Sequence, residues 1–266
     1  MAFATATDLL HSMDKWGPKF ANVKAAQAFI DERKDEALNN QQDNKYHRPW
    51  KIVDLTKALP KDQAWIGIEF ETGFDCMKEY QKVVNFLWDD VEYAAIDREG
   101  SGDYPIEIAF APEPMENVLK GTTAFERTLQ FFADNKLTCA TNPTCFTCRD
   151  IGIHAGLSTP ATRALGAGLW QITERLDRIL LSLNDKQRKK LYGRTELHWE
   201  AAHDRGTYIE LKMFKSVPDL DVARGFLQVI QRVGVLADFL IANPEVRSIN
   251  NTYEFLSGED AEPRID

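Results

Sequence analysis

Alternating apolar and polar residues predict a series of short strands in the middle of the chain. In the segment Ile66-Gly-Ile-Glu-Phe-Glu71, the apolar side chains point to one face of a strand and the two glutamates, Glu69 and Glu71, point to the other. Related patterns predict strands over residues 65–72, 91–96, 106–110, 151–157, 197–200 and 208–214. We therefore expect a sheet with one polar face.

Helical periodicity predicts two long helices. The first begins at Ser158-Thr-Pro160, a capping residue followed by proline, and carries leucine and isoleucine at helical spacing from Leu165 to Leu183. The second begins near Asp221 and carries an apolar face as far as Leu240, and a third, weaker pattern covers residues 116–135. Strand pairs followed by long helices predict an α+β fold, in which a mainly antiparallel, curved sheet has long helices packed on one face.

The chain is expected to divide into three regions. Residues 1–50 are polar and are expected to form a helical N-terminal extension. Residues 51–245 hold the predicted strands and long helices and are expected to form the main domain. Residues 246–266 are acidic and are expected to form a flexible tail.

Composition narrows the class of partners. The chain has 32 basic and 41 acidic residues, a net charge of −9, which disfavours broad binding to nucleic acid or to an anionic membrane. The sequence contains no run of about 18 apolar residues, so it predicts no membrane-spanning helix. The first residues lack the basic and apolar segments of a signal peptide, so we expect a cytoplasmic protein.

The cysteines leave an alternative open. The four cysteines of a cytoplasmic chain are expected to be reduced thiols. Cys139, Cys145 and Cys148, with His154 shortly after, have the residue types of a zinc site, but only one pair has C-x2-C spacing. A zinc-stabilised interaction module is therefore one hypothesis, and a loop with ordinary thiols is the other.

Carboxylates recur on the polar side of the predicted strands. Two like charges about 4 Å apart repel by roughly 4 kcal/mol at the effective dielectric of proteins, so a pair such as Glu69 and Glu71 calls for a cation, a basic partner or proton chemistry. Other strand-like segments place these polar residues among apolar ones: Asp97, Glu107, His154, Glu210 and Lys212. Each also has a structural explanation, as a solvated strand face, a surface ion pair or a hydrogen-bonded core histidine. Together they predict an acidic face that suits Mg²⁺.

The order and spacing of these segments resemble the amidoligase family of the carboxylate–amine ligase superfamily, which is related to glutamate–cysteine ligase and glutamine synthetase. That family has a G-x-E-x-E strand, an Asp turn, an E-[IV] strand ahead of prolines, a G-[LIV]-H-V-H-V strand and a final [TY]-[IV]-E-x-R strand. The matching segments here are Gly67-Ile-Glu-Phe-Glu71, Asp97, Glu107-Ile108 with Pro112-Glu-Pro114, Gly152-Ile-His154 and Tyr208-Ile-Glu-Leu-Lys212. The resemblance spans residues 64–242 and implies a glutamine-synthetase-like catalytic fold over residues 51–245.

The resemblance also implies an activity and a set of site residues. The activity is that of an ATP- and Mg²⁺-dependent ligase, which joins the carboxylate of an amino acid or peptide to an amine through an acyl phosphate. The implied Mg²⁺ ligands are Glu69, Glu71, Glu107, Glu210 and Asp97. The residues implied to bind nucleotide or assist catalysis are Lys212, which would neutralise the transferred phosphoryl group, His154, which would bind a phosphate or order the substrate, and Arg194, which would clamp a carboxylate or phosphate. Arg194 is equally well explained as a surface arginine after a basic run.

Two positions depart from the family pattern. One histidine of the paired-histidine strand is replaced by Gly156, or by Gly152 if the register is shifted by two. The final arginine is Lys212, which keeps the charge but lacks the two-pronged geometry suited to phosphate. A degenerate member of the family that keeps the fold and serves as a binding protein is therefore the alternative to an active ligase.

Overall fold

The predicted strands pair into one open, antiparallel sheet in the computed structural model, which describes residues 20–41, 50–51, 61–91, 94–98, 104–137, 152–197, 200–216 and 219–265. The strands are β1 (Trp65–Gly73), β2 (Ala94–Asp97), β3 (Pro105–Phe110), β4 (Glu113–Pro114), β5 (Gly152–Ser158), β6 (Ala202–Asp204) and β7 (Ile209–Lys215). Their order is β2-β3-β1-β5-β7-β6, with β4 also paired to β1. The expected α+β class with a mainly antiparallel sheet is confirmed.

Helices precede the first strand, lie in three of the connections between strands and follow the last strand. They are α1 (Val23–Leu38), α2 (Met77–Asp89), α3 (Ala124–Asp134), α4 (Pro160–Leu165), α5 (Leu169–Leu181), α6 (Asp185–Tyr192), α7 (Leu220–Ala242) and α8 (Thr252–Ser257). Short 3₁₀ turns lie at Met115–Asn117 and Gly166–Gly168. Helix α7 begins next to Asp221, as predicted.

Three predicted elements differ from the structure. The helix expected over residues 116–135 is present only as α3 (Ala124–Asp134), after a 3₁₀ turn at Met115–Asn117. The helix expected from residue 158 to 183 begins as predicted, with Thr159 as the N-cap, whose hydroxyl accepts a hydrogen bond from the Thr162 amide, but it divides into α4 and α5. The cause is Gly166, whose φ of 50° lies outside the helical region. The strand expected over residues 197–200 is absent at its described ends, Leu197 and Glu200, its two middle residues lie outside the described part of the chain, and the described pairing begins at Ala202.

Helices cover the apolar face of the sheet. The Phe70 ring of β1 lies 6.0 Å from the Phe125 ring of α3, and Phe214 of β7 lies 5.1 Å from Phe226 of α7, measured between centroids. The main hydrophobic core is formed between this face and the helices. The charged side chains of β1, β3 and β5 alternate with these buried residues and therefore point away from the core.

The described part of the N-terminal extension is docked on the main domain. Helix α1 lies beside α2, where the Tyr80 hydroxyl donates a 2.6 Å hydrogen bond to the Ala37 carbonyl. Lys34 Nζ also lies 2.8 Å from a carboxylate oxygen of Asp89. The helical character expected for this region is thus present over Val23–Leu38.

The C-terminal segment is folded rather than flexible as far as residue 265. Phe255 and Leu256 of α8 are buried in the main core. The Asn251 side chain donates to Asp260 Oδ2 at 2.7 Å and to the Glu262 carbonyl at 3.0 Å. The expectation of a flexible tail followed its acidic composition, which hides these apolar anchors and backbone contacts.

Helix α7 is the one described helix that is long and apolar enough to cross a membrane, with a mean hydropathy of 1.5 over its most apolar window. Half of that window is buried inside the protein. The helix contacts α3, α4, α5, α6, α8 and β5, which is the packing of a core helix.

Candidate functional site

Antiparallel pairing places the acidic residues in rows across the polar face of the sheet. Glu71 on β1 lies opposite Glu107 on β3, and Glu107 in turn lies opposite Asp97 on β2. In the neighbouring row, Glu69 lies opposite His154 on β5. Directly opposed side chains have Cβ atoms about 4.5–5.5 Å apart, so the sheet concentrates negative charge along these rows.

A β-bulge brings β7 into the same region. Ile153 pairs with Phe214 and Ala155 pairs with Leu211, so the single residue His154 lies opposite both Lys212 and Met213. Such a bulge changes the direction of the side chains next to it. Lys212 and His154 are consequently close enough that the lysine charge acts on the imidazole.

Three side chains from three strands form the closest cluster of possible metal ligands in the described part of the chain. One ligand atom each from Glu69, His154 and Glu210 lies within 4.8 Å of the other two. Two carboxylate oxygens and an imidazole nitrogen, all held on strands, fit a divalent cation. Glu71, Glu107 and Asp97 share the polar face but lie outside this set.

The imidazole of His154 lies between two carboxylates. Its Nδ1 is 3.5 Å from Glu71 Oε1 and 3.7 Å from Glu69 Oε2. Burial acts to lower the pKa of His154, but pairing with Glu69 and the charge of Glu71 outweigh burial and raise it above its ordinary value. The same pairing with His154 holds the pKa of Glu69 below its ordinary value, with Lys212 and Arg205 acting in the same direction. The cluster therefore combines opposite charges at close range.

Glu210 is the buried end of the cluster, and two basic residues converge on it. Its side chain is 10% exposed, and its Oε2 accepts a 2.7 Å hydrogen bond from Arg205 Nε. Arg205 Nη2 lies 2.6 Å from the same oxygen and completes the ion pair. Lys212 Nζ lies 3.4 Å from the same oxygen. The bond to Glu210 raises the pKa of Arg205, so this guanidinium keeps its charge at any physiological pH.

Sequence reasoning missed Arg205, which lies in the turn between β6 and β7. The turn is closed by a 3.0 Å hydrogen bond from the Arg205 amide to the Tyr208 carbonyl and by one of 2.7 Å from the Gly206 amide to Asp204 Oδ1. Gly206 has a φ of 79°, which favours glycine. A basic residue in the turn before a Glu-x-Lys strand was the available signal, but its contact with Glu210 depends on the hairpin geometry.

The start of β6 is fixed by a carboxylate that the sequence did not single out. Asp177 on α5 accepts hydrogen bonds from the backbone amides of Ala201 at 2.6 Å and Ala202 at 3.0 Å. Burial raises the pKa of Asp177 in spite of these bonds. Its contacts are with the backbone, so Asp177 positions the hairpin rather than joining the cluster.

Two rings bound the polar face at one end. Gly67 and Gly156 lie opposite each other on β1 and β5. A Cβ atom on Gly156 would lie 3.2 Å from Cδ2 of the Tyr208 ring, and one on Gly67 would lie 3.5 Å from Cγ of Pro112. Gly156, one of the two positions considered for the missing histidine, therefore lies beneath the ring of Tyr208.

The remaining predicted residues are placed as follows. Arg194 Nη2 donates a 2.8 Å hydrogen bond to the Phe214 carbonyl, which locates it at the end of β7. Asp97 Oδ1 accepts a hydrogen bond from the Arg98 amide at 2.7 Å. Cys139, Cys145 and Cys148 lie outside the described residues, whereas His154, their proposed zinc partner, faces the glutamates of β1.

No protein-family model matches the chain, and a search of curated proteins found no match either.

Proposed function

We propose that this protein is an ATP- and Mg²⁺-dependent ligase that forms an amide bond between a carboxylate and an amine through an acyl phosphate. The observation that carries the proposal is the cluster of Glu69, His154 and Glu210, whose ligand atoms lie within 4.8 Å of one another on three strands. The resemblance of the strand motifs to those of amidoligases supports this class of reaction. The same resemblance supports a glutamine-synthetase-like form of the fold. The proposed location is the cytoplasm.

The charges on the polar face support phosphoryl transfer. In-line transfer of a phosphoryl group needs positioning and neutralisation of charge more than covalent help from the protein. Glu69 and Glu210 would hold Mg²⁺, and Glu71, Glu107 and Asp97 on the same face would provide further oxygen ligands or hold its water molecules. When bound, Mg²⁺ supplies positive charge to the phosphates of ATP.

The basic residues have complementary roles in this proposal. Lys212, at 3.4 Å from Glu210, would neutralise the transferred phosphoryl group. His154, between Glu69 and Glu71, would bind a phosphate or order the substrate. Arg194, near the end of β7, would clamp a substrate carboxylate. The partners are thus small carboxylates or peptides and amines, without nucleic acid or membrane, and the oligomeric state is left open.

A binding protein with the same fold is the second candidate, and one observation favours it. The Tyr208 ring lies over Gly156, so in the register that places the second histidine at Gly156 the volume for its side chain is filled. In that case the polar face would bind a nucleotide or a cation without turnover. ADP release separates the two candidates.

The test is a screen for ADP release from ATP and Mg²⁺ with pairs of amino-acid carboxylates and amines. A ligase gives release that depends on both substrates, and Glu69→Gln abolishes it. Glu174→Gln, on the outer face of α5 and more than half exposed, is the matched control and leaves release unchanged. Full activity in a Glu69→Gln, Glu71→Gln double variant would contradict the site, and no ADP with any pair would favour the binding protein.

A further inference from the structure

We propose that Arg205 supplies the two-pronged phosphate contact that position 212 lacks, so that an anionic phosphate group binds between Arg205 and Lys212 beside the cation cluster. This inference rests on the proposed function in that it assigns a ligand contact within the same site. It concerns a residue outside every motif that carries the family resemblance.

The first support is the geometry of the guanidinium. Nε of Arg205 donates to Glu210 Oε2 at 2.7 Å, and Nη2 lies 2.6 Å from the same oxygen as an ion pair. A guanidinium has five N–H groups in a fixed plane, so four remain after the Nε bond. In the part of the chain that the structure describes, no other side chain accepts from this guanidinium.

The second support is the local balance of charge. Arg205 and Lys212 bring two positive charges to one carboxylate oxygen of Glu210. Both basic side chains stay partly exposed, at 41% and 33%, while Glu210 is buried. Glu69, whose side chain is 44% exposed, also acts on this pair, so the two basic groups offer a local contact for an anion whose remaining charge would be balanced by a cation on Glu69.

The third support is the position of this pair relative to the carboxylates. The charges of Arg205 and Lys212 both act on Glu69, which belongs to the cation cluster. Anionic oxygens could therefore contact the basic pair while the same molecule contacts a divalent cation on Glu69. A polyphosphate offers such oxygens on neighbouring phosphoryl groups.

An ordinary structural ion pair between Arg205 and Glu210 is the simpler explanation. It predicts that losing Arg205 changes stability but leaves ligand binding alone. The conservative variant separates the two explanations, because Arg205→Lys keeps a positive charge for Glu210 but loses the planar fork.

The experiment measures the binding of Mg²⁺–tripolyphosphate by titration calorimetry on the full chain, with circular dichroism to verify folding of each variant. We expect Arg205→Gln to weaken binding at least about tenfold, since a hydrogen bond to a charged group is lost. Arg205→Lys is expected to weaken it by a smaller factor, and Lys212→Arg on the Arg205→Gln background to restore part of the affinity. Arg178→Gln is the matched control, because Arg178 pairs with Glu174 at 2.9 Å on the surface of α5.

The outcomes discriminate between the proposals. Equal affinity in Arg205→Gln and the unsubstituted protein would overturn the role of Arg205, as would an equal loss in Arg178→Gln. Failure of the unsubstituted protein to bind tripolyphosphate would overturn it as well. Loss of binding in Arg205→Gln together with no ADP release from the unsubstituted protein would support the role of Arg205 while contradicting the ligase.

Discussion

Replacing Gly156 with alanine tests whether the Tyr208 ring forms a wall of the site. The added Cβ would lie 3.2 and 3.3 Å from Cδ2 and Cε2 of that ring, closer than ordinary carbon contacts. Strand β5 is paired on both sides at this point, to Gly67 and to Glu210, so the backbone has little freedom to withdraw. We expect overpacking to lower the free energy of unfolding by about 1–2 kcal/mol.

Gly67→Ala is the matched control, because Gly67 lies directly opposite on β1 and its added Cβ would meet Pro112 at an ordinary 3.5 Å. This variant should be stabilised by about 0.5–1 kcal/mol, since glycine is costly within a strand. Urea unfolding measures the free energy of unfolding of both variants. On a Tyr208→Ala background, Gly156→Ala should no longer lower this free energy. Equal effects of the two alanine substitutions, or a penalty that persists without the Tyr208 ring, would refute the proposed wall.

Two further predictions concern groups that support the fold. Burial raises the pKa of Asp238 despite the 2.5 Å hydrogen bond from the Thr159 hydroxyl, so the folded state holds this proton more tightly than the unfolded chain. The stability that this group contributes therefore falls as the pH rises from the ordinary aspartate range through the raised pKa. In Asp238→Asn, the free energy of unfolding measured in urea should lack this pH dependence. Arg175 is buried and donates to the carbonyls of Leu240, Asn243, Pro244 and Val246 at 2.7–3.1 Å. Arg175→Met should reduce the unfolding free energy by about 2–4 kcal/mol, and a loss below about 0.5 kcal/mol would contradict that role.

The strand that carries Glu69 and Glu71 could be predicted because its alternation is local. Each side chain's face follows from its position in the strand, and Ile68 and Phe70 are indeed buried opposite the glutamates. The start of α4 was equally local, since the Thr159 cap and Pro160 are adjacent. Features written in a few neighbouring residues were accessible from the sequence.

Contacts between distant segments were not accessible in this way. That Glu69 lies opposite His154 depends on the register of β1 with β5, and a shift of one residue would turn the imidazole to the other face. Arg205 reaches Glu210 only through the turn between β6 and β7. The order of the strands and the bulge beside His154 are likewise set by the whole sheet.

Helix α2 was not predicted, although its pattern is local. Tyr80, Val83, Val84 and Leu87 recur at helical spacing and are all buried, so the local pattern was present. The buried anchors of α8 were obscured in a similar way by the acidic residues around them. In both segments, charged residues around a short apolar stripe weaken its periodic signal in the sequence.

The most direct test of the central claim is an anomalous-scattering map from crystals grown with Mn²⁺ in place of Mg²⁺ and with a non-hydrolysable ATP analogue. We expect a metal peak within about 2.5 Å of oxygens from Glu69 and Glu210, with phosphate oxygens completing its coordination. Glu69→Gln crystals should lose the peak, while Glu174→Gln crystals should keep it. A nucleotide bound away from the polar face, or a metal that avoids Glu69, His154 and Glu210, would contradict the account.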